Sequence, residues 1–144
     1  MTMRLSHLVG RTAAALRHQL EVQMAEHGAS LPEFLILHVV ATQPGLSQRG
    51  LADQVGVERP TMSHHLDRLE TLGLVERRRD PTDRRILRIH PTPPGRRRLA
   101  KLDAIVEALE RHLHDQLSER EAKVLHTALA RIAASVDPIV PRPH

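Results

Sequence analysis

The chain has 144 residues, the length of one ordinary domain, and carries a net charge of +4. Hydrophobic residues make up 40% of it and Phe34 is the one aromatic residue, so the core must be aliphatic, which suits helices. The absence of cysteine excludes disulfides, thiolate metal sites and oxidant sensing through a thiol.

The first predicted helix covers residues 5–26, because leucine and valine recur at helical spacing from Leu5 to Leu20. His7 and Arg11 lie where a signal peptide would need an unbroken apolar run, so no signal peptide is predicted.

A buried second helix is predicted from Ser30-Leu31-Pro32-Glu33, which resembles a capping box, to about Thr42. Its apolar run, residues 35–40, is broken by His38 and is far too short to cross a bilayer. These features predict a soluble protein of the cytoplasm that makes no contact with a membrane.

Two short helices are predicted next, at about 47–54 and 58–72, with a sharp turn at Gly56 between them. Ser47 is placed to cap the first, and Gly73 ends the second. This arrangement predicts a helix-turn-helix, although an ordinary helical hairpin is the alternative.

Residues 74–78 and 86–90 are each predicted to form a short strand. The polar segment between them, residues 79–85, is rich in turn-forming residues. A β-hairpin directly after a helix-turn-helix is a wing.

The charge is concentrated in this part of the chain. Residues 59–101 hold 12 Lys/Arg against 5 Asp/Glu, whereas the remaining residues hold 9 against 12. Such a basic segment is typical of proteins with a polyanionic partner, and a solvated charged surface is the alternative.

Two further amphipathic helices are predicted, at about 94–117 and, from the capping box Ser118-Glu119-Arg120-Glu121, to about Val136. Three prolines after residue 137 make a tail that cannot be helical. The apolar stripes of the terminal helices cannot all reach the small central core, so we expect them to pack against a second copy, burying about 800 Å² per partner.

The order of these elements resembles that of the MarR family of bacterial regulators, and four motifs carry the resemblance. They are Leu46-Ser47-Gln48-Arg49-Gly50-Leu51-Ala52, Asp67-Arg68-Leu69-Glu70-Thr71-Leu72-Gly73-Leu74-Val75-Glu76-Arg77, the wing Arg79-Asp80-Pro81-Thr82-Asp83-Arg84-Arg85, and Thr92-Pro93-Pro94-Gly95.

The resemblance implies a mainly α fold with a small β-wing, formed by one domain over residues 1–144. Within it, residues 30–92 are the winged helix-turn-helix lobe, and residues 1–27 and 93–137 are the dimerisation helices. It further implies a homodimeric repressor of transcription on a near-palindromic double-stranded operator, with half-sites about 34 Å apart.

The helix at 58–72 is expected to enter the major groove with its N-terminal half. Hydroxyl and imidazole groups can hydrogen-bond base edges, and many family members carry Arg at the position of His64. The outward residues predicted to bind DNA are Arg59, Thr61, Ser63, His64 and Arg68.

The wing is expected to place Arg84 and Arg85 in the minor groove, and the resemblance implies that Asp83 pairs with a wing arginine. Turn formation is the alternative role for Asp83. Phosphate contacts are predicted at Arg77, Arg78 and Arg79 on the strand, and at Ser47 where a helix begins. Arg96, Arg97 and Arg98 either flank the DNA or are a solvated helix end.

The resemblance also implies a small anionic effector, commonly an aromatic acid, held near His7, Arg11 and His38. Arg11 could pair with its carboxylate. The alternatives are a core histidine at His38 and an interface role for Arg11. A zinc-responsive regulator is a second possibility, but His112 and His114 face different sides of a helix, which is poor chelate spacing, and no metal site is predicted.

Two rival classes remain. A winged helix that binds protein would not need basic residues at both the recognition helix and the wing, as this chain has. An enzyme would need a nucleophile elbow, a metal-binding His-Glu-x-x-His or a phosphate-binding glycine loop, none of which occurs, so neither catalysis nor a cofactor is predicted.

Overall fold

The computed structural model describes residues 2–136, in which six helices and three short strands are found. The helices are α1 (Leu5–Glu26), α2 (Leu31–Thr42), α3 (Gln48–Val55), α4 (Arg59–Thr71), α5 (Pro93–Asp115) and α6 (Glu119–Val136). The strands are β1 (Leu46–Ser47), β2 (Val75–Arg79) and β3 (Leu87–Pro91). Residue 137 and the proline-containing tail lie outside the described residues.

All six predicted helices are present, with ends displaced by no more than about two residues, and the mainly α fold with a β-wing is confirmed. The strand β1 was not predicted. It is two residues long, and it exists because Leu46 and Ser47 pair antiparallel with Ile89 and Arg88 of β3. No local sequence period can reveal so short a strand.

The sheet has the order β1-β3-β2, with both pairings antiparallel. In the β2–β3 hairpin, Arg77 lies opposite Ile89 and Arg79 opposite Leu87. β3 is therefore the central strand. It joins the wing hairpin to the segment that enters α3.

The helix α2 lies at the centre of the core. Ile36, Leu37 and Val40 are buried, and α2 packs against α1, α3, α4, α5 and β3. A helix that is apolar on nearly every side is covered by other elements over most of its surface, and the face that carries Leu35 and His38 stays exposed. At its start the Ser30 hydroxyl accepts a hydrogen bond from the Glu33 amide (3.3 Å). The Glu33 carboxylate is buried and lies near Arg98, so it does not close the capping box in return.

The close approach of α5 to the start of β2 depends on Gly95. A Cβ atom at this position would overlap the carbonyl oxygen of Leu74, so only glycine fits. The N-cap of α5 adds to the junction. The hydroxyl of Thr92 accepts from the Gly95 amide (3.0 Å) and donates to the Gly73 carbonyl (2.6 Å). The wing and α5 therefore have little freedom to move relative to each other.

The helix α6 buries none of its residues within the chain. Its exposed apolar side chains are Val124, Leu125, Leu129, Ile132 and Val136, and α1 exposes Leu5, Leu8 and Val22. Among residues 2–136, no helix combines the length and apolarity that crossing a membrane requires.

Candidate nucleic-acid interface

The recognition helix α4 presents a polar face at its N-terminal end. Arg59, Thr61 and His64 are exposed and Ser63 is half-buried. Met62, Leu66 and Leu69 are buried against the core, at spacings of four and three residues. The helical period therefore places the predicted base-contacting side chains outward. His65 is half-buried.

The strand β2 is fastened to α4 by Arg77. Its guanidinium donates to the Asp67 carboxylate (2.6 Å) and to the Ser63 carbonyl (2.9 Å), and its side chain is only 15% exposed. The Arg77 amide also donates to the Glu70 carboxylate (3.0 Å). Arg77 was predicted to contact phosphate. The structure instead places its charged end in contact with α4, while the neighbouring Arg78 is exposed and pairs with Glu76.

The turn of the wing is organised by Asp80, which is buried although it is charged. One carboxylate oxygen accepts from the Thr82 hydroxyl (2.6 Å), the Thr82 amide (2.8 Å) and the Asp83 amide (3.0 Å). The other accepts from the Arg88 guanidinium (2.6 Å). These donors, the Thr82 hydroxyl first and then Arg88, hold the pKa of Asp80 well below its usual range.

Arg88 extends this network out of the wing. While its Nε donates to Asp80, its Nη1 donates to the Gly45 carbonyl (3.0 Å), just before β1. The Gly45 amide in turn donates to the Ile89 carbonyl (2.9 Å). The wing is therefore tied at its base to the segment that leads into the helix-turn-helix.

The tip of the wing carries exposed cations. Arg84 is exposed, and the side chain of Arg85 is 91% exposed. Asp83 holds Arg85 through both carboxylate oxygens (3.1 Å each) and also accepts from the Arg85 amide (3.1 Å). Both roles considered for Asp83, ion pair and turn former, are present. Arg79 donates to the Arg84 carbonyl (2.7 Å), which braces the same turn.

A cleft of about 450 Å³ lies between α3, the start of α4 and the wing. It brings together Arg49, Arg59 and Arg85 from three elements that are separate in the sequence. Its remaining lining is Ser47, Gln48, Ile86 and Leu87. The Ser47 hydroxyl accepts from the Gly50 amide (3.0 Å), so it caps α3 as predicted. Three guanidinium groups around one concave surface favour a polyanion as its partner.

Arg68 lies near the C-terminal end of α4, away from this cleft. Its guanidinium donates to the Gly28 carbonyl in the turn between α1 and α2 (3.3 Å). Of the arginines that begin α5, Arg96 and Arg97 are exposed, and Arg98 donates to the His27 carbonyl (2.6 Å).

The residues expected to hold an effector are spread over two helices. His7 and Arg11 are exposed on α1, one turn apart and so on the same face. His38 is exposed on α2, with its ring tilted against Phe34 at a centroid distance of 6.0 Å. The cleft between α3 and the wing, and a second cleft along the end of α5 beside Glu107 and His114, are lined by other residues.

In the part of the chain from residue 2 to residue 136, no three His, Asp or Glu side chains are grouped closely enough to hold an ion. His114 and Glu110, four residues apart on the exposed end of α5, approach to 3.9 Å. The zinc-responsive alternative receives no support.

Two groups at this surface were missed from the sequence. The sequence placed Asp80 in the wing motif and Arg88 in the second predicted strand, but it predicted no individual role for either residue. The only available signal was Asp80 preceding Pro81 and Thr82, which is typical of a side chain that caps its own turn.

Comparisons with known proteins agree on one family. A family model described as the MarR family matches residues 27–86. A relative from Thauera aromatica, named as a transcriptional regulatory protein for the hcr operon, is 33% identical over 126 residues, covering 88% of this chain and 76% of the relative.

Solved structures give the same result. The transcriptional repressor CouR, bound to a 23-mer DNA duplex, superposes with a TM-score of 0.82 at 29% identity, over 90% of this chain and 92% of that one. The Mycobacterium tuberculosis protein Rv2887, in complex with p-aminosalicylic acid, superposes with a TM-score of 0.71 at 27% identity, over 91% and 99%.

The hydrogen bonds to Asp80 generate a prediction about stability and pH. Because the folded state lowers the pKa of Asp80, the ionised carboxylate stabilises the fold at any pH above its unfolded pKa of about 3.9. Asp80→Asn should therefore melt below the wild type at neutral pH. The gap should shrink as the pH falls below about 4, because the unfolded wild type then takes up a proton on Asp80 that the folded protein does not bind.

Thermal unfolding followed by far-ultraviolet circular dichroism at several pH values measures this gap. Asp53→Asn, at an exposed position of α3, is the matched control and should melt as the wild type does at each pH. A gap for Asp80→Asn that stays constant down to about pH 3 would contradict the assignment.

Proposed function

The chain belongs to the MarR family of transcriptional regulators, and from this premise we propose that it is a repressor that binds its DNA operator as a homodimer. The operator is a near-palindromic duplex, and a small anionic effector releases the protein from it. The lobe at residues 30–92 binds the DNA, and the helices at residues 1–27 and 93–137 form the dimer.

One observation carries the proposal: Arg49, Arg59 and Arg85 surround one cleft between the recognition helix and the wing. Arg85 is fixed by Asp83 and remains almost fully exposed, as a minor-groove contact requires. The relative CouR, at 29% identity, has been solved with a DNA duplex bound. Base contacts are assigned to Thr61, Ser63 and His64, and phosphate contacts to Ser47, Arg59, Arg79 and Arg84.

The homodimer is supported by the uncovered apolar faces of α1 and α6. Leu125, Leu129, Ile132 and Val136 follow one another at spacings of four, three and four residues, which places them on one stripe of α6. An apolar stripe of this length left in water is unfavourable by about 25 cal/mol for each Å². A second copy of the same helix, related by a two-fold axis, would cover it.

A two-fold dimer determines the form of the operator. Two copies of α4 related by the dimer axis would reach successive turns of one face of the duplex, about 34 Å apart. Because each copy reads the same bases, the operator would be a near-palindrome.

The effector is assigned to the face of α1 that carries His7 and Arg11, with His38 of α2 as a further polar group. The relative Rv2887, at 27% identity, has been solved with p-aminosalicylic acid. Arg11 is the residue on that face whose guanidinium matches a carboxylate in geometry and charge.

The location and the absence of catalysis belong to the same proposal. A regulator must reach the DNA, so we place the protein in the cytoplasm of its cell. We assign it no enzymatic activity, because its relatives are regulators of transcription and its polar groups converge on a surface suited to DNA.

DNA binding is tested by fluorescence anisotropy with a labelled duplex from the protein's own upstream region, near 150 mM salt. A specific repressor should prefer this duplex over a scrambled one by about 10³-fold. Arg85→Ala should weaken binding about tenfold and reduce the preference for A/T pairs under the wing, because a minor-groove contact is removed.

Arg111→Ala is the control for Arg85→Ala, because Arg111 lies about 27 Å along α5 from the wing and should leave the affinity unchanged. Equal and steeply salt-dependent binding to both duplexes would refute sequence-specific repression from this region.

Dimerisation is tested with Leu129→Asp, which places a charge in the middle of the α6 stripe. Light scattering should give a mass near that of one chain, 16.2 kDa, instead of twice that value. Operator affinity should fall on the order of 10²-fold, because two linked half-site contacts become one. Leu72→Ser, at an exposed leucine outside α1 and α6, should remain dimeric. A Leu129→Asp protein that stays dimeric would locate the interface elsewhere.

The effector is tested by adding p-aminosalicylate to the complex with DNA. Release of the wild-type protein is expected, and Arg11→Ala should need about tenfold more ligand, since a charge-assisted hydrogen bond of about 1.5 kcal/mol is lost. Arg17→Ala, on a different face of α1, is the control. An identical response of both variants would exclude Arg11 as the carboxylate partner.

A further inference from the structure

Two arginines from different helices hold the same turn. The turn between α1 and α2 consists of His27 and Gly28, and Gly28 adopts a left-handed conformation with φ +68°. Arg98 of α5 donates to the His27 carbonyl (2.6 Å), and Arg68 of α4 donates to the Gly28 carbonyl (3.3 Å). The carbonyls at the end of α1 are thus shared between α4 and α5.

Arg98 is fixed in this position by a buried carboxylate. Its Nη2 lies 3.7 Å from Oε2 of Glu33, a side chain only 5% exposed, and this oxygen has no hydrogen-bond partner among the described residues. A buried carboxylate without hydrogen bonds is unfavourable unless a cation is nearby. Arg98 therefore cannot move away from Glu33 without leaving that charge unpaired.

Arg68 is poorly placed for the DNA contact that its sequence position predicted. It is the tenth of the thirteen residues of α4, whereas a recognition helix inserts its N-terminal half into the groove. Its guanidinium is directed at Gly28, and the adjacent Asp67 is bound to Arg77 on β2. The C-terminal half of α4 is therefore attached to its neighbouring elements.

We propose that Arg68 is a positioning residue that ties the recognition helix to the α1–α2 turn. The joint formed by Arg68, Arg98 and this turn sets the angle of α4 relative to the helices assigned to the dimer. It therefore sets the distance between the two recognition helices. This inference rests on the function proposed above, because only a DNA-binding dimer has such a distance.

A phosphate contact and a positioning role for Arg68 differ in how the substitution changes the salt dependence of DNA affinity and the preferred spacing of the half-sites. A residue that contacts phosphate contributes to the slope of log affinity against log salt but not to the preferred spacing of half-sites. A residue that positions the helix does the reverse. Its loss leaves the phosphate contacts in place but lets each recognition helix take more than one angle.

The experiment begins with a duplex selected by the wild-type dimer from a random-sequence library. Derivatives of this duplex have one or two base pairs inserted or removed between the half-sites. Affinities for the whole series are measured by anisotropy at several salt concentrations. The proteins compared are the wild type, Arg68→Ala, Arg68→Gln and the control Arg59→Ala, whose residue lies exposed in the DNA-facing cleft.

Arg68→Ala should bind the best duplex about tenfold more weakly, discriminate less between spacings and keep the wild-type salt slope. Arg68→Gln retains N–H donors for the Gly28 carbonyl and should recover part of the spacing preference. Arg59→Ala should reduce the slope by about two per dimer, one phosphate contact per copy, and keep the wild-type spacing preference. Matching thermal melts verify that the exposed Arg68 substitutions leave the fold intact.

A lower salt slope for Arg68→Ala with an unchanged spacing preference would overturn the proposal in favour of a phosphate contact. Wild-type behaviour of Arg68→Ala in both respects would overturn it as well. If the wild-type protein selects no duplex, the proposed function itself fails and the inference falls with it. That result differs from the first two, in which the wild-type protein binds.

Discussion

The burial of α2 is the constraint on which the rest of the structure depends. This helix is apolar on nearly every side, so five other elements must pack around it. The packing fixes where α3 and α4 can lie, and hence which face of α4 points outward. It also buries Glu33 at the first turn of α2, and the buried carboxylate brings Arg98 of α5 to the same place. One helix thus determines both the core and a charged contact at its edge.

The sequence predicted the fold well because apolar residues recur at helical spacing and because caps and turn residues mark where the helices begin and end. The leucine stripes, the caps at Ser30, Ser47 and Ser118, and the turn at Gly56 are all present as local features of the chain. What it could not predict depends on contacts between distant residues. The strand β1 exists only through its pairing with β3, and the Arg88 contact spans 43 residues to Gly45.

For the candidate site, the sequence predicted which side chains are exposed but not where the long arginine side chains point. Exposure follows from helical period, so Arg59, Thr61 and His64 could be placed on the outer face of α4. The direction of a long arginine side chain does not follow from period. Arg77 and Arg68 lie in the same basic segment as Arg84, yet the guanidinium of each donates a hydrogen bond to a backbone carbonyl of the protein. An arginine in a basic segment can bind DNA or brace the fold, and only the positions of the acceptors distinguish the two.

The acidic residues of the basic segment resolve this ambiguity. All five, Asp67, Glu70, Glu76, Asp80 and Asp83, accept hydrogen bonds from groups within residues 59–101. Four arginines of the segment form ion pairs with them, and three of these pairs lie in or beside the wing. The two more exposed pairs, Arg78–Glu76 and Arg85–Asp83, add little stability, so their main effect is on the direction of the arginine side chains. Asp67 and Asp80 hold Arg77 and Arg88 against the protein, whereas Asp83 holds Arg85 with its side chain exposed to solvent. Exposed positive charge therefore remains at the start of α4, in the turn of the wing and at the start of α5, at Arg59, Arg84, Arg85, Arg96 and Arg97.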